Sequence, residues 1–229
     1  MASEIRLISS MATRQLLADL VALFEQGCVQ RVSVESVGGV DAARRVQAGE
    51  AVDAVVLASD AIDRLIVAGS VVAGSRVDLM RSGVALAVRA GAPRPPIDTE
   101  EQVKRAVLAA RQIGYSTGPS GVQFVKLFER WGIAQAIKDR LVQAPAGVPV
   151  GTLVAQGKVE LGFQQLSELM HLQGIDVLGP LPPAVQIVTT FSAGVAATSA
   201  QPEAVRALLG FLASPAAAAA KRQQGMEPA

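Results

Sequence analysis

Short apolar runs alternate with segments of helical periodicity in the first part of the chain. The apolar runs lie at residues 5–8, 31–35 and 53–57, and each ends in small polar residues. The helical segments, with apolar residues on one face, follow at about 16–24, 40–47 and 61–68. Three β-α units in succession predict a parallel sheet with right-handed crossovers.

The pattern changes after Gly74 to a long extended stretch at 77–80 and 84–88, where we place a first crossing into another lobe. A second α/β set follows. Its strands are predicted near 112–115, 141–142 and 161–163, and its helices near 103–110, 121–130, 150–156 and 165–170. An extended run at 186–197 is the natural return crossing, and helices at 202–212 and 215–223 finish the chain.

These features predict an α/β protein with two lobes, each a mainly parallel sheet flanked by helices. Lobe 1 comprises residues 1–83 and 192–229, and lobe 2 comprises residues 84–191. The hinge crossings are predicted near 83–89 and 187–194.

Composition narrows the function classes. Hydrophobic residues make up 50% of the chain and charged residues 18%, which is typical of a folded protein and not of a disordered one. Aromatic residues make up only 3%, which disfavours base-stacking surfaces, and a net charge of +1 provides no basic footprint for nucleic acid. We therefore expect no nucleic-acid partner.

Cys28 is the only cysteine and His171 the only histidine, so we expect no disulfide, no metal site of the Cys/His type and no cofactor. No apolar run approaches the roughly 20 residues of a membrane-spanning helix, so we expect no membrane embedding. The start of the chain lacks the basic and apolar segments of a secretory leader. This predicts a cytoplasmic protein, or a periplasmic one if a leader has been removed.

Small polar residues stand where predicted strands give way to helices. They are Ser9, Ser10, Ser36 and Ser59, followed later by the cluster Ser116, Thr117, Gly118, Ser120 and Gly121. A helix N-terminus leaves N–H groups unpaired and carries partial positive charge, so such turns bind anions. Ligands of open α/β sheets also lie beyond the carboxyl ends of the strands. The alternative is that each serine only caps its helix.

Three further side chains are candidate ligand contacts. Arg81 stands just before the first crossing, where its guanidinium could pair with a carboxylate, although solvation at the surface is the alternative. Gln164 and Gln165 follow an apolar strand and offer neutral amides, or they simply open the next helix. The cluster at 116–121 lacks the Gly-Lys-Ser/Thr ending of a nucleotide-binding loop, which disfavours a nucleotide enzyme.

Four segments together resemble the molybdate-binding branch of the type II periplasmic binding proteins. They are Ser9-Ser10 after the first strand and the stretches at 49–54, 114–121 and 225–229. The resemblance implies two α/β lobes joined by two crossing strands, with a small anion bound in the cleft between them. It implies that Ser9, Ser10, Ser36 and Ser59 lie on one lobe and Ser116 with Thr117 on the other. It also implies an ABC transporter as partner if the protein is exported.

The chain departs from the molybdate pattern at the return crossing, where members of that branch use a tyrosine hydroxyl. Its only tyrosine, Tyr115, precedes the serine cluster instead, and Gln164-Gln165 supply amides. The stretch at 164–168 looks closer to relatives that resemble aconitate isomerase. An organic carboxylate therefore stands beside oxyanions as the ligand.

Two hypotheses of different classes follow. The first is a binding protein that closes on a small anion and performs no chemistry. The second is a cofactor-free isomerase that moves a proton within a tricarboxylate. Such an isomerase needs a base, and the candidates are Glu35, Asp60, Glu168 and His171. Because Ser, Thr and Gln are poor bases, we place the binding protein first.

Overall fold

The structure is a computed structural model that describes residues 4–229. It contains two compact units. Unit 1 comprises the described residues up to Ser82 together with Thr189–Ala229, and unit 2 comprises Gly83–Val188. Residues 1–3, on which the sequence argument about a leader depends, lie outside the described part.

Ten strands and ten α-helices occur in residues 4–229. The strands are β1 (Ile5–Ser10), β2 (Val32–Val37), β3 (Ala54–Ala58), β4 (Val77–Arg89), β5 (Ile113–Tyr115), β6 (Leu141–Gln143), β7 (Leu161–Gln165), β8 (Ile175–Pro180), β9 (Val188–Val195) and β10 (Met226–Pro228). The helices are α1 (Arg14–Gly27), α2 (Gly39–Gln47), α3 (Ser59–Val67), α4 (Glu100–Ala109), α5 (Pro119–Arg130), α6 (Ala134–Ile137), α7 (Val150–Ala155), α8 (Leu166–Leu169), α9 (Pro202–Ala213) and α10 (Ala218–Gln223). The chain passes from unit 1 to unit 2 within β4 and returns at β9.

The sheet of unit 1 has the strand order β2-β1-β3-β9. Strands β1, β2 and β3 are parallel, β9 is antiparallel to β3, and β10 is antiparallel to the first part of β4. Successive side chains of a strand point to opposite faces. Leu7 accordingly packs in a core with α1 and α9, and Ile8 packs in a second core with α2 and α3.

The sheet of unit 2 is built around β7. Strand β5 is parallel to β6 and β7, whereas β7 and β8 are antiparallel to β4. The core on one face contains Phe124 and Phe128 of α5 and Phe163 of β7, with the rings of Phe124 and Phe163 4.5 Å apart. Most of the few aromatic residues of this chain are thus used in packing.

The predicted α/β class, with parallel strands and helices on the sheet faces, is confirmed. Two predictions of detail were wrong. The helix predicted to begin at residue 61 begins at Ser59, because β3 leads directly into it. Strands β8 and β10 were missed: both end in proline, and β10 has only three residues.

No single helix within residues 4–229 is long and apolar enough to cross a membrane. The pair Pro202–Ala213 and Pro215–Gln223 meets the length and composition criteria jointly, but it is bent by 57°.

The turn between β5 and α5 depends on a glycine. A Cβ atom added to Gly121 would lie 1.9 Å from the carbonyl oxygen of Ser116, a separation that no native contact reaches. The chain therefore folds the segment at 116–121 back on itself only because residue 121 has no side chain. Gly210, on α9, offers a contrast, since an added Cβ would meet nothing within 4 Å.

We expect Gly121→Ala to lower the free energy of unfolding by about 1–3 kcal/mol or more, because the Ser116 carbonyl would be displaced. Gly210→Ala is the matched control and is expected to raise it by about 0.5–1 kcal/mol, since alanine loses less backbone entropy in a helix. Urea unfolding followed by circular dichroism measures both. A neutral Gly121→Ala would contradict the tight turn.

Candidate functional site

The carboxyl ends of β1 and β2 bring two serine hydroxyls together in unit 1. The strands pair in parallel with Ser9 opposite Ser36, and their Oγ atoms are 2.8 Å apart. Ser9 is fully buried and Ser36 is half-buried. The pair forms because parallel strands end at the same edge of a sheet, so the turn residues of neighbouring strands become neighbours.

Ser10, next along β1, has an uncommitted hydroxyl. The residue is 7% exposed, and its Oγ is buried without a hydrogen-bond partner in residues 4–229. Its carbonyl, in contrast, accepts a hydrogen bond from Thr13 Oγ1 at 3.0 Å. Leaving a buried hydroxyl unpaired costs about 1–3 kcal/mol, so such groups are rare in native proteins and call for an explanation.

The first turn of α2 lies beside Ser10. A Cβ atom added to Gly39, the first residue of α2, would be 3.5 Å from Ser10 Cβ. An anion at this position would receive both a serine hydroxyl and the N–H groups of a helix of nine residues. The unpaired hydroxyl and the N-terminus of α2 thus lie side by side.

The candidate serines do not form side-chain caps in the structure. No side chain caps α2, α3, α5 or the 3-10 segment that begins after Ser10. By comparison, Thr99 and Gln102 form a complete capping box on α4. Among the α-helices of residues 4–229 only α4 has a side-chain cap, so the lack of a cap does not by itself mark a ligand turn.

In unit 2, the turn after β5 supplies the second group of donors. Ser116 Oγ lies 3.2 Å from Ser120 Oγ, and Ser120 is buried in the first turn of α5. Gly118 is the N-cap residue of α5 and Thr117 is exposed. The first turn of α5 contains no acidic residue, so no side-chain carboxylate competes for its partial positive charge.

The neighbouring strand β7 carries the predicted glutamines at the same edge, because β5 and β7 are parallel. Gln164 is buried, accepts a hydrogen bond from Gly151 N at 3.3 Å and donates one from Nε2 to Glu168 Oε1 at 2.8 Å. Gln165 is buried as the N-cap residue of α8 and does not cap it with its side chain. Gln164 thus contacts a titratable group.

Two of the predicted ligand contacts, Arg81 and Ser59, lie in surroundings that are less suited to an anion. The Arg81 side chain is exposed on β4 and donates from Nη2 to the Pro228 carbonyl at 3.1 Å. Ser59 is the first residue of α3 and is followed by Asp60, whose carboxylate pairs with Arg64 at 2.8 Å. An acidic residue in that first turn makes α3 a poorer anion site than α5, and Asp41 in the first turn of α2 has the same effect on that helix.

The four candidate bases differ in their charge environment. Glu35 is exposed, and the Arg45 guanidinium that binds it holds the pKa of its carboxyl below the ordinary value. Asp60 pairs with Arg64, and His171 is exposed. Two of the carboxylates are thus committed to cations.

Glu168 stands apart from these. The residue is half-buried, its carboxyl group is enclosed by protein, and no cation of residues 4–229 pairs with it. Burial raises the pKa of Glu168 to about 7, and the hydrogen bond from Gln164 opposes this rise. A carboxyl group that titrates near neutral pH can both accept and return a proton.

Within residues 4–229, no group of three His, Cys, Asp or Glu residues could hold a metal ion. Sequence reasoning missed Gly151, which contributes a backbone N–H from another element. No sequence signal identifies such a donor, because it depends on how α7 packs.

Comparisons with known proteins agree with this architecture. The family model described as "Bacterial extracellular solute-binding protein" matches residues 5–227. A curated relative, the aconitate isomerase of a Pseudomonas species, is 40% identical over 185 residues, which cover 80% of this chain and 70% of that protein.

Solved structures share the fold at lower identity. The periplasmic molybdate-binding protein of Azotobacter vinelandii superimposes with a TM-score of 0.80 at 18% identity, covering 97% of this chain and 98% of that one. The sulfate-binding protein SubI of Mycobacterium tuberculosis H37Rv gives a TM-score of 0.80 at 19% identity, covering 99% and 87%. At these identities the likeness shows the fold: a two-lobed type II periplasmic binding protein fold.

Ser10 and Ser75 provide a paired test of which hydroxyls are structural. Ser75 Oγ donates to the Val72 carbonyl at 2.7 Å and accepts from Val195 N at 3.0 Å. We expect Ser75→Ala to lower the free energy of unfolding by about 1–3 kcal/mol, because Val195 N–H loses its partner. Ser10→Ala is expected to leave it unchanged or to raise it. Chemical denaturation checks both, and equal losses would refute the assignment of Ser10 as uncommitted.

Proposed function

This chain belongs to the bacterial extracellular solute-binding protein family, and from that premise we propose that it binds a small organic polycarboxylate and isomerises it. The proposed substrate is aconitate, and the proposed reaction converts the trans and cis forms by an allylic proton shift. The observation that carries this proposal is Glu168, a carboxyl group with no cation partner whose pKa is raised by burial to about 7.

The chemistry requires only one proton carrier. The Glu168 carboxylate takes a proton from the methylene carbon of aconitate, and the electron pair left behind spreads over the adjacent double bond and carboxylate. The same group then returns the proton to the other end of the three-carbon unit, so that the double bond moves. Nothing is oxidised or reduced, and no co-reactant is needed.

The serine turns suit the carboxylates of such a substrate. Hydroxyls and helix N-termini donate hydrogen bonds to anions without removing protons from them. Ser10 and the first turn of α2 form one set of donors, and Ser116 with the first turn of α5 forms another. These two sets of hydrogen-bond donors suit a ligand that carries several negatively charged groups.

Sequence similarity supports the same substrate class. The relative at 40% identity is named for aconitate isomerisation, whereas the oxyanion-binding proteins are below 20% identical. The second candidate is a receptor that binds a carboxylate and leaves it unchanged. It is favoured by unit 1, where the Ser9, Ser10 and Ser36 turn contains hydrogen-bond donors and no proton carrier.

We expect Ser10→Ala and Ser116→Ala each to weaken trans-aconitate binding by about 1.5–3 kcal/mol, the contribution of a hydrogen bond to a charged group. Ser70→Ala, in a loop of unit 1, is the control and should bind normally. Isothermal titration calorimetry with trans-aconitate, cis-aconitate, sulfate and molybdate measures this and ranks the ligand classes. Normal affinity in both site variants would remove these turns from the site.

We expect the protein to interconvert trans- and cis-aconitate, as followed by proton NMR, and to do so in the presence of a chelator. Because Glu168 must be ionised to accept a proton, kcat/KM should fall as pH is lowered through about 7, the value to which burial raises its pKa. Glu168→Gln should lose at least about 100-fold in kcat, the scale of general acid–base catalysis.

The control is Glu129→Gln, an exposed residue on α5 of the same unit. It should keep full activity. Recovery of bound aconitate unchanged from the wild-type protein would support the receptor instead.

A further inference from the structure

The Gln164 side chain is fixed at both ends. It is 2% exposed, with Oε1 accepting from Gly151 N at 3.3 Å and Nε2 donating to Glu168 Oε1 at 2.8 Å. A backbone N–H can only donate and an ionised carboxylate can only accept. The two partners together therefore determine which end of the amide faces Glu168, and a flipped amide would lose both hydrogen bonds.

The partner of Gln164 on α7 is held by close packing. A Cβ atom added to Gly151 would lie 2.5 Å from Leu172 Cδ1 and 3.0 Å from Leu169 Cδ2. The missing side chain lets the first turn of α7 contact α8 and the residues after it. The anchor of Gln164 and the helix that carries Glu168 are thereby packed against each other.

The surroundings of Glu168 contain few other ionisable groups. Helix α7, strand β7 and the part of β4 at 84–88 carry none, and Glu168 is the only one on α8. On the adjacent elements the titratable residues are His171, which is exposed, and Asp176 of β8. The Asp176 carboxylate accepts from Gly91 N at 3.2 Å and lies 3.8 Å from Arg94. Gln164 donates a hydrogen bond directly to Glu168 and lowers the pKa of its carboxyl.

We propose that Gln164 is a positioning residue: it holds Oε1 of Glu168 so that the other oxygen, Oε2, faces the methylene group of a bound polycarboxylate. This inference rests on the proposed isomerase function. It assigns a role in that reaction to a residue that takes no part in the proton transfer itself. A neutral amide suits the role. An arginine in its place would hold the carboxylate ionised, as Arg45 does for Glu35, and a leucine would leave the buried carboxyl protonated.

The first measurement needs no substrate. The Glu168 carboxyl is titrated by carbon-13 NMR in the ligand-free wild type, in Gln164→Leu and in a control, Gln123→Leu, whose exposed glutamine lies on α5. The midpoint is expected to rise by about one pH unit or more in Gln164→Leu, because the ionised form loses its donor. It should not move in the control.

The second measurement is turnover of trans-aconitate as a function of pH. Gln164→Leu should lower kcat by about tenfold or more while KM changes little, because a misplaced base slows the proton transfer without removing a binding contact. Gln164→Glu, which keeps the length and shape of the side chain, is the second variant in case Gln164→Leu does not fold. Its carboxyl can share one proton with Glu168, so it should restore activity near pH 6 and lose it at higher pH, where both groups ionise.

The outcomes separate the two proposals. An active wild type with the same Glu168 midpoint in Gln164→Leu, or with Gln164→Leu fully active, would overturn the positioning role alone. An inactive wild type would overturn the isomerase and with it the catalytic part of this inference, and a shifted midpoint would then identify the contact as structural.

Discussion

Parallel pairing of buried strands is the constraint on which the candidate site depends. Strands β1 and β2 run in register, and β5 and β7 do the same in the other unit. Strands that run in one direction end at one edge, so residues far apart in sequence meet there: Ser9 with Ser36, and the turn after β5 beside the glutamines of β7. The apolar interior of each strand fixes the register, and the polar residues at its end are placed as a consequence.

Each unit buries a polar group near these sheet edges, and this burial lowers the stability of the fold. Unit 1 buries the Ser10 hydroxyl without a partner, and unit 2 encloses the Glu168 carboxyl without a cation. Ser192, which is also buried, differs from Ser10 in having a partner, since it donates to Asp78 at 2.6 Å. A buried hydroxyl that lacks a partner, as in Ser10, has a hydrogen bond available for a ligand.

The sequence predicts which polar residues lie at the ends of strands, but it does not predict how the surroundings of these residues differ. Short apolar runs followed by serine predict strand-to-helix turns, and this local signal placed Ser9, Ser10 and Ser116 correctly at the ends of strands. It ranked Ser59 with them, although the acidic residue that follows it makes that turn less suitable. It could not rank Glu168 above Glu35, because the difference depends on Arg45, on burial and on a backbone N–H of Gly151, all of which are contacts made by folding.

The step from binding to catalysis is small on such a scaffold. Hydroxyls and helix N-termini hold an anion equally well whether or not it reacts, so the donors of the two units do not distinguish a receptor from an enzyme. What distinguishes them is a group that can both accept and return a proton, because its pKa lies close to the pH of the surrounding solution. Glu35 is prevented from this role by an exposed ion pair with Arg45, whereas Glu168 is suited to it by burial and by a neutral amide that orients it without neutralising it. A buried carboxyl group without a cation partner, held by an amide in place of an arginine, has the properties that a proton carrier in an allylic shift requires.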